Sequence, residues 1–272
     1  MNHWQMIPEL AGHDAHLRRA VQQTMDVIVN GNHLLIEGEA GTGRRTLARS
    51  CWRRASSGNR PLFTLDCHTF SAEVTGEFLF GARSRYGAML HDGGFHLAMS
   101  TGLLLLHIDE LAASVQGRLA EALDSNLRHQ HGTTAQLILT CDRALDSAPS
   151  LEPSLLRFLR RVRMPSLRER RADIELIAEA FLRKARPYSS IRCSPALIER
   201  LCMHDWPGNV TELRSVLRRL LLEPHGDLLD VHHLDKLMSD EDAYITPMPE
   251  IASAGVIPEL CLSAPQEGRS AQ

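Results

Sequence analysis

The sequence predicts an α/β fold, in which a parallel β-sheet is covered by helices on both faces and is followed by a small all-helical domain. Over residues 1–172, short continuous apolar runs alternate with segments of helical spacing, as βα units do. From about Asp173 onward only helical spacing recurs. We therefore expect an α/β domain over 1–172, a helical domain over 173–238, and a disordered, proline-containing tail over 239–272.

The first predicted elements surround a glycine-rich loop. Apolar residues at helical spacing predict a helix over 13–29, and an Asn-Gly-Asn turn ends it before a strand over 33–37. The glycine loop follows, and a second helix is predicted over 44–55. The run 61–66 is predicted to be a short buried strand.

The remaining elements continue the alternation and then abandon it. A leucine-rich strand over 103–108 precedes an amphipathic helix over 114–128 and a strand over 136–140. In the second domain, helices are predicted over 173–186, 194–204 and 208–222. After Glu223 the hydrophobic pattern fades.

Composition sets broad limits on function. The chain has 272 residues, of which 43% are hydrophobic, so it can form a substantial core. Its formal net charge of -3 provides no overall positive field for nucleic acid or membranes. The six cysteines lack C-x-x-C spacing and no apolar run reaches transmembrane length. We therefore expect a reduced, cytoplasmic protein without membrane contact.

The glycine loop has the outline of a nucleotide-binding P-loop. The candidate nucleotide-binding residues are Gly38, Glu39, Ala40, Gly41, Thr42, Gly43, Arg44 and Arg45. Such a loop directs backbone N–H groups and a helix dipole at phosphate oxygens. The usual G-x-x-x-x-G-K-[ST] pattern is broken, because Arg44 and Arg45 stand at the lysine and hydroxyl positions. A planar guanidinium is a poor replacement for an ammonium, so we expect weakened ATP binding.

An acidic pair after the leucine-rich strand provides the second half of a possible ATPase site. Asp109 would orient Mg²⁺, and Thr46 offers a hydroxyl one position after Arg45, which cannot ligate a metal. Glu110 would be the base that polarises the attacking water. ATP and Mg²⁺ are therefore the candidate cofactors. Taken alone, the pair could equally be a solvated strand end.

From about Glu9 to Leu222 the chain resembles the AAA+ domain of sigma-54-dependent transcriptional activators. The matching segments occur in the family's order: Leu35-Ile36-Glu37-Gly38-Glu39-Ala40-Gly41-Thr42-Gly43, Asp66-Cys67, Phe78-Leu79-Phe80-Gly81, Gly94-Phe95-His96-Leu97-Ala98, Ile108-Asp109-Glu110-Leu111, Pro165-Ser166-Leu167-Arg168-Glu169-Arg170-Arg171-Ala172-Asp173-Ile174, and Trp206-Pro207-Gly208-Asn209-Val210-Thr211-Glu212-Leu213. The resemblance implies a P-loop AAA+ sheet domain with a helical lid. It also implies assembly into rings that use ATP hydrolysis to remodel the sigma-54 polymerase.

Several positions depart from the family pattern. An asparagine near the γ-phosphate aligns with Asp142, and the lid's sensor arginine aligns with Thr211. In the family, two arginines reach the nucleotide of a neighbouring subunit. One of them has a counterpart in this chain, Arg157, which would be catalytic in that sense. The sigma-54-contacting loop G-A-F-T-G-A is absent from 82–92. These departures predict little hydrolysis and no direct sigma-54 contact.

Three functions remain open at this point. The leading one is a transcription-regulatory protein that oligomerises, as a homo- or hetero-oligomeric ring, with weak or absent ATP turnover, as an accessory to a competent AAA+ activator. The second is an active ATPase that activates sigma-54 polymerase directly, and the third is a nucleotide-free protein-binding module. The weak segment 223–244 is too short for a helix-turn-helix, so we expect no independent sequence-specific DNA binding. The arginine-rich stretch 157–171 is interpreted as a solvated or intersubunit face in preference to a nucleic-acid patch.

Overall fold

A five-stranded parallel sheet forms the centre of the first domain. The computed structural model describes residues 10, 12–57, 59–83, 89–91, 93–94, 101–129, 135–142, 151–187, 190–222 and 226–239. The sheet strands are β1 (His33–Glu37), β2 (Leu62–Asp66), β5 (Gly102–Leu106), β6 (Gln136–Cys141) and β7 (Leu159–Arg163). Their order is β2-β5-β6-β1-β7, and every neighbouring pair is parallel. The predicted parallel α/β sheet is confirmed.

Helices cover both faces of this sheet. They are α1 (Ala15–Val29), α2 (Arg44–Ala55), α3 (Ala72–Phe80), α4 (Ala113–His129) and the one-turn α5 (Pro153–Leu156). Alternate residues of a strand point to opposite faces. Leu34 and Ile36 accordingly pack with α1 and α2, whereas Leu35 packs with α3, α4 and α5. Burial on both faces explains why the central strands β1, β5 and β6 show continuous apolar runs without polar alternation. The edge strand β2 was predicted to be buried, but only its Leu65 is.

The second domain is built around a separate apolar core. Its elements are a 3₁₀ segment (Leu167–Asp173), α6 (Ile174–Ala185), α7 (Pro195–Met203), α8 (Asn209–Leu220) and α9 (Val231–Ser239). The first three predicted helices are confirmed to within two residues at each end. Trp206, Leu213 and Leu217 are among the residues buried where these helices meet.

One expectation for the second domain is wrong: it is not all-helical, because β8 (Arg192–Cys193) pairs in parallel with β9 (Leu228–Leu229). Residues after 223 belong to its folded core although their hydrophobic pattern is weak, and Leu229, Leu234 and Leu237 are buried there. Two-residue strands are too short to show a period, and α9 has only nine residues, including the polar pair His232-His233.

Strand β7 was not predicted, because its sequence Leu-Arg-Arg-Val-Arg looks like a charged surface. It is the edge strand beside β1, with Leu159 and Val162 buried and the three arginines exposed. Charged side chains on an edge strand discourage pairing with other chains. The stretch 157–171 was predicted to be a solvated or intersubunit face. Its arginines outside β7 are also exposed, except Arg170, which is 3% exposed.

The short hairpin strands β3 (Ala82–Arg83) and β4 (Met89–His91) lie where the sigma-54-contacting loop would be expected. The residues between them, 84–88, and most of the predicted tail over 239–272 lie outside the described residues. Among the residues that are described, no helix has both the length and the apolarity to cross a bilayer.

Candidate nucleotide site at the carboxyl edge of the sheet

The glycine loop connects β1 to α2 as predicted. Helix α2 begins at Arg44, and its N-cap Gly43 has φ 101° and ψ 22°, in the left-handed region. Glycine adopts this conformation without the steric cost that a Cβ would impose. The loop therefore delivers the chain into a helix N-terminus, where backbone N–H groups and the helix dipole favour an anion.

The Arg44 side chain is committed to the protein itself. It is 7% exposed, and its Nη1 donates to the Gly38 carbonyl at 2.9 Å and to the Cys141 carbonyl. Its Nη2 forms an ion pair with Asp142 Oδ1 at 2.5 Å. The cation that follows the P-loop glycines is thus buried against the end of β6. It is already neutralised by a carboxylate of the same chain.

Asp142 occupies the position between this arginine and the acidic pair. Its Oδ1 also lies 3.5 Å from His107 Nε2, and its backbone N–H donates to Asp109 Oδ1 at 3.4 Å. Asp142 therefore contacts both halves of the candidate site. The sequence placed its negative charge near the phosphates, but the ion pair with Arg44 was not foreseen.

His107 and Asp66 extend the network along the sheet edge. His107 Nδ1 lies 2.8 Å from Asp66 Oδ1, and the His107 backbone N–H donates to Thr140 Oγ1 at 3.2 Å. Neither side chain was predicted to belong to the site. Both follow or end neighbouring parallel strands, whose carboxyl ends converge, so strand order would have placed them together.

The acidic pair lies on a 3₁₀ turn, Ile108–Glu110, rather than at the strand end where it was predicted. The strand stops at Leu106, and His107 turns the chain with φ 54°. Asp109 is half-buried and Glu110 is exposed. Thr46 and Arg45 lie on the first turn of α2 and are half-buried.

The second domain is hydrogen-bonded directly to the glycine loop. The Val210 backbone N–H donates to the Gly41 carbonyl at 3.0 Å, and Arg170 Nη2 donates to the Thr42 carbonyl at 3.1 Å. A Cβ on Gly41 would lie 2.1 Å from the Gly208 carbonyl oxygen, and Gly41 has φ 75°. Glycine at this position is thus required both by conformation and by close approach of the lid.

Glu39 and Asn209 form the polar centre of this domain contact. Arg168 holds Glu39 with both Nη atoms, one at 2.7 Å, and this hydrogen bonding lowers the pKa of Glu39. Asn209 Nδ2 donates to the Ala40 carbonyl at 2.9 Å and to Glu39 Oε2 at 3.2 Å. Asn209 Oδ1 accepts from the Leu167 N–H at 2.7 Å. Asn209 is fully buried, and its hydrogen bonds join the glycine loop, the 3₁₀ segment that begins at Leu167, and the lid helix α8.

Thr211 lies on the first turn of α8, beside the loop. A Cβ on Gly41 would be 3.2 Å from the Thr211 Cβ. The lid therefore offers a short hydroxyl side chain at this point, where the resemblance implies an arginine. No cation from this position of the lid reaches the loop.

Arg157 is at the protein surface after α5. Its side chain is 58% exposed, and Nη2 pairs with Asp124 Oδ1 at 3.2 Å. Its guanidinium also lies 4.6 Å from the centre of the Phe158 ring. Exposed ion pairs of this kind contribute little to stability. Arg157 is therefore accessible to another molecule, although the described contacts are all within the chain.

Comparison with known proteins identifies the family. The family described as "Sigma-54 interaction domain" matches residues 10–148, slightly more than half of the chain. The chain belongs to the sigma-54 interaction domain family. Residues 168–247 match the "AAA+ ATPase lid domain", so the AAA+ architecture with a lid is confirmed.

The curated relatives of this family member are bacterial transcription regulators. The chain is 30% identical over 220 residues to the transcriptional regulatory protein ZraR of Salmonella typhimurium, covering 74% of this chain and 49% of ZraR. It is 28% identical over 232 residues to the anaerobic nitric oxide reductase transcription regulator NorR of Aeromonas hydrophila, covering 78% and 45%. The chain thus spans about half the length of these curated relatives.

Solved structures agree on the fold. NtrX from Brucella abortus in complex with ADP aligns with a TM-score of 0.68 at 22% identity, covering 89% of this chain and 59% of NtrX. AMPPCP-bound DnaA from Aquifex aeolicus aligns with a TM-score of 0.59 at 17% identity, covering 85% and 67%. At these identities the likeness concerns the AAA+ fold alone.

The family implies ATP with Mg²⁺, and the residues present fit this group only in part. The backbone of the loop and the N-terminus of α2 suit a polyphosphate. The side chains do not, because Arg44 is buried against Asp142 and Thr211 carries no charge. The site therefore has a backbone that suits a polyphosphate, but the arginine at the lysine position is already paired within the chain.

Proposed function

We propose that this protein is a transcription-regulatory AAA+ subunit of the sigma-54 activator type, with weak ATP binding and weak or absent hydrolysis. The observation that carries the proposal is the burial of Arg44 against Asp142 and two backbone carbonyls. A phosphate would have to compete with these existing partners for the guanidinium. Hydrogen bonds to charged groups are worth about 1.5–3 kcal/mol, so their loss weakens ATP affinity at least roughly tenfold.

The protein acts by oligomerising, and a partner supplies what its own site lacks. The family relationship supports a ring, in which a competent AAA+ activator is the expected neighbour. The carboxylates Asp109 and Glu110 are retained, so the defects lie at the lysine, hydroxyl and lid-arginine positions, which Arg44, Arg45 and Thr211 occupy. The G-A-F-T-G-A sequence is absent, so a promoter effect would pass through the partner.

The first experiment measures ATP binding and hydrolysis by the purified chain, with a lysine-bearing activator of the family as reference. We expect ATP affinity at least about tenfold weaker than that of the reference and turnover near background. Hydrolysis at the reference rate would overturn the proposal in favour of an active ATPase. Complete absence of ATP binding, even at millimolar concentration, would favour a nucleotide-free protein-binding module.

The second experiment concerns Arg157 in mixed assemblies. If this side chain stabilises phosphate charge in a neighbouring subunit, wild-type protein sustains or raises the ATPase rate of a competent activator. The Arg157→Ala variant then lowers that rate. Because Arg157 is 58% exposed, its loss should change the unfolding free energy of the isolated chain by less than about 1 kcal/mol. Equal rates for the two mixtures would show that Arg157 has no such role.

The third experiment asks what the chain binds directly. With a net charge of -3, it has no general attraction to phosphate backbones. We expect no sequence-specific shift of promoter DNA at about physiological salt, where specific binders hold at roughly 10⁻⁸ M or tighter. We also expect no stable capture by sigma-54 alone. A competitor-resistant shift, or capture by sigma-54 with an ATP transition-state mimic, would establish a direct activator instead.

A further inference from the structure

We infer that Asp142 and Arg44 act as one unit, and that Asp142 is the residue that keeps the P-loop cation away from phosphate. The inference rests on the proposed function, because it explains why nucleotide binding is weak. It predicts that restoring a lysine at position 44 alone does not restore ATP binding. Both residues of the pair must change together.

The geometry supports a shared role for the two residues. Arg44 is 7% exposed and Asp142 about a third exposed, and their ion pair spans 2.5 Å. The Gly38 and Cys141 carbonyls hold the guanidinium from the ends of β1 and β6. The guanidinium of arginine has five N–H donors in a planar fork and can serve several acceptors at once. The compact ammonium of lysine cannot reproduce this geometry. Arginine at position 44 is therefore matched to aspartate at position 142.

Asp142 also opposes an incoming phosphate by its own charge. An anion that approached the Arg44 guanidinium would also approach the Asp142 carboxylate, because the two side chains are in contact. At an effective dielectric constant of about 20, two like charges about 5 Å apart shift an equilibrium on the order of a hundredfold. A lysine introduced at position 44 would still face this carboxylate. The repulsion would persist, and the new cation would still be neutralised.

Neighbouring groups reinforce this position of Asp142. Its backbone N–H is tied to Asp109, and His107 approaches the same carboxylate oxygen from β5. Asp142 is therefore held between the P-loop cation and the acidic pair. A change of this carboxylate to an amide would remove its charge while keeping its size.

The test is a cycle of Arg44→Lys, Asp142→Asn and the double variant in the full chain. Binding of a fluorescent ATP analogue with Mg²⁺ is titrated, and thermal unfolding is measured without nucleotide. The double variant should bind at least about tenfold more tightly than wild type, whereas Arg44→Lys should stay within about threefold of it. Asp142→Asn should lower Tm by at least about 5 °C, because it leaves a buried guanidinium without its carboxylate.

The matched control is Arg171→Lys with Asp205→Asn, an exposed lid pair that spans 2.6 Å. It should change neither ATP affinity nor Tm beyond error, since exposed pairs contribute little.

Additive Tm changes around the Arg44–Asp142 cycle would contradict the inference, because coupled residues are non-additive. If Asp142→Asn does not fold, the comparison of Arg44→Lys with the double variant decides the question. Equal ATP binding by those two variants would overturn the inference. Tight binding and rapid hydrolysis by the wild type would instead overturn the proposed function.

Discussion

Replacement of Asn209 by alanine should separate the two domains energetically. The side chain is fully buried and connects three segments: it accepts from the Leu167 N–H and donates to the Ala40 carbonyl and to Glu39. Alanine would leave the buried Leu167 N–H unpaired, which costs about 1–3 kcal/mol, and would remove the hydrogen bond to the carbonyl of the exposed Ala40, which is worth about 1 kcal/mol net. The loss of hydrogen bonding should therefore destabilise the domain contact by about 2–4 kcal/mol.

The backbone adds a second, separable cost at this position. Asn209 has φ 53°, where asparagine is tolerated but a Cβ without a polar group is unfavourable by roughly 1 kcal/mol. Asn209→Gly removes the hydrogen bonds while relieving that strain. We therefore expect glycine to be less damaging than alanine by about 1 kcal/mol, and alanine to lower Tm by about 6–15 °C in total.

Urea and thermal unfolding of the full chain measure both differences. Asn30→Ala is the matched control, since Asn30 is an exposed helix-capping residue that donates to the Asp26 carbonyl. The unfolding curve of Asn209→Ala should also broaden or divide, because the lid would no longer unfold together with the sheet domain. If Asn209→Ala is no more destabilised than Asn30→Ala, Asn209 does not fix the lid to the loop.

Three further predictions concern the same regions. Gly41→Ala should lower stability by at least about 2 kcal/mol in chemical denaturation, because its Cβ would lie 2.1 Å from the Gly208 carbonyl oxygen; a neutral effect would mean that the lid moves away freely. Burial raises the pKa values of Cys51 and Cys67 to about 12, so pulse alkylation at about pH 8 and peptide mapping should find both unmodified until the chain unfolds. Arg168 lowers the pKa of Glu39 below its ordinary 4.5, so their contact stabilises the chain above that value and is lost as pH falls through the lowered pKa. Wild type should accordingly lose more Tm than Glu39→Gln between about pH 5 and pH 3, and parallel curves would contradict this contribution.

The elements that the sequence predicted well are those with a strong period or a special loop. The strand at 33–37, the glycine turn and α2 follow one another as expected, because apolar burial and φ above zero both constrain the residue types. Strand β7 was missed because an edge strand needs only Leu159 and Val162 in the core. Its arginines conceal the pattern. Strands β8 and β9 are too short to produce one.

The side-chain partners of the site could not be deduced from spacing. Arg44 and Asp142 are 98 positions apart, and their contact depends on β6 lying beside β1 in the sheet. Motif comparison therefore treats a replaced lysine and a replaced asparagine as two separate losses. The same limit applies to His107 and Asp66, which approach each other only because β5 pairs with β2.

The local charge explains why these replacements go together. Relative to the family pattern, lysine, asparagine and arginine are replaced by Arg44, Asp142 and Thr211, so the net charge of these three positions falls from two positive charges to zero, while Arg45 adds a cation at the hydroxyl position. A buried arginine alone would be left without a counter-ion in the absence of nucleotide, which is unfavourable. Asp142 supplies that counter-ion permanently, and Asn209 and Val210 hold the lid on the loop at the same time. Nucleotide is thus not required to neutralise Arg44 or to hold the lid against the glycine loop.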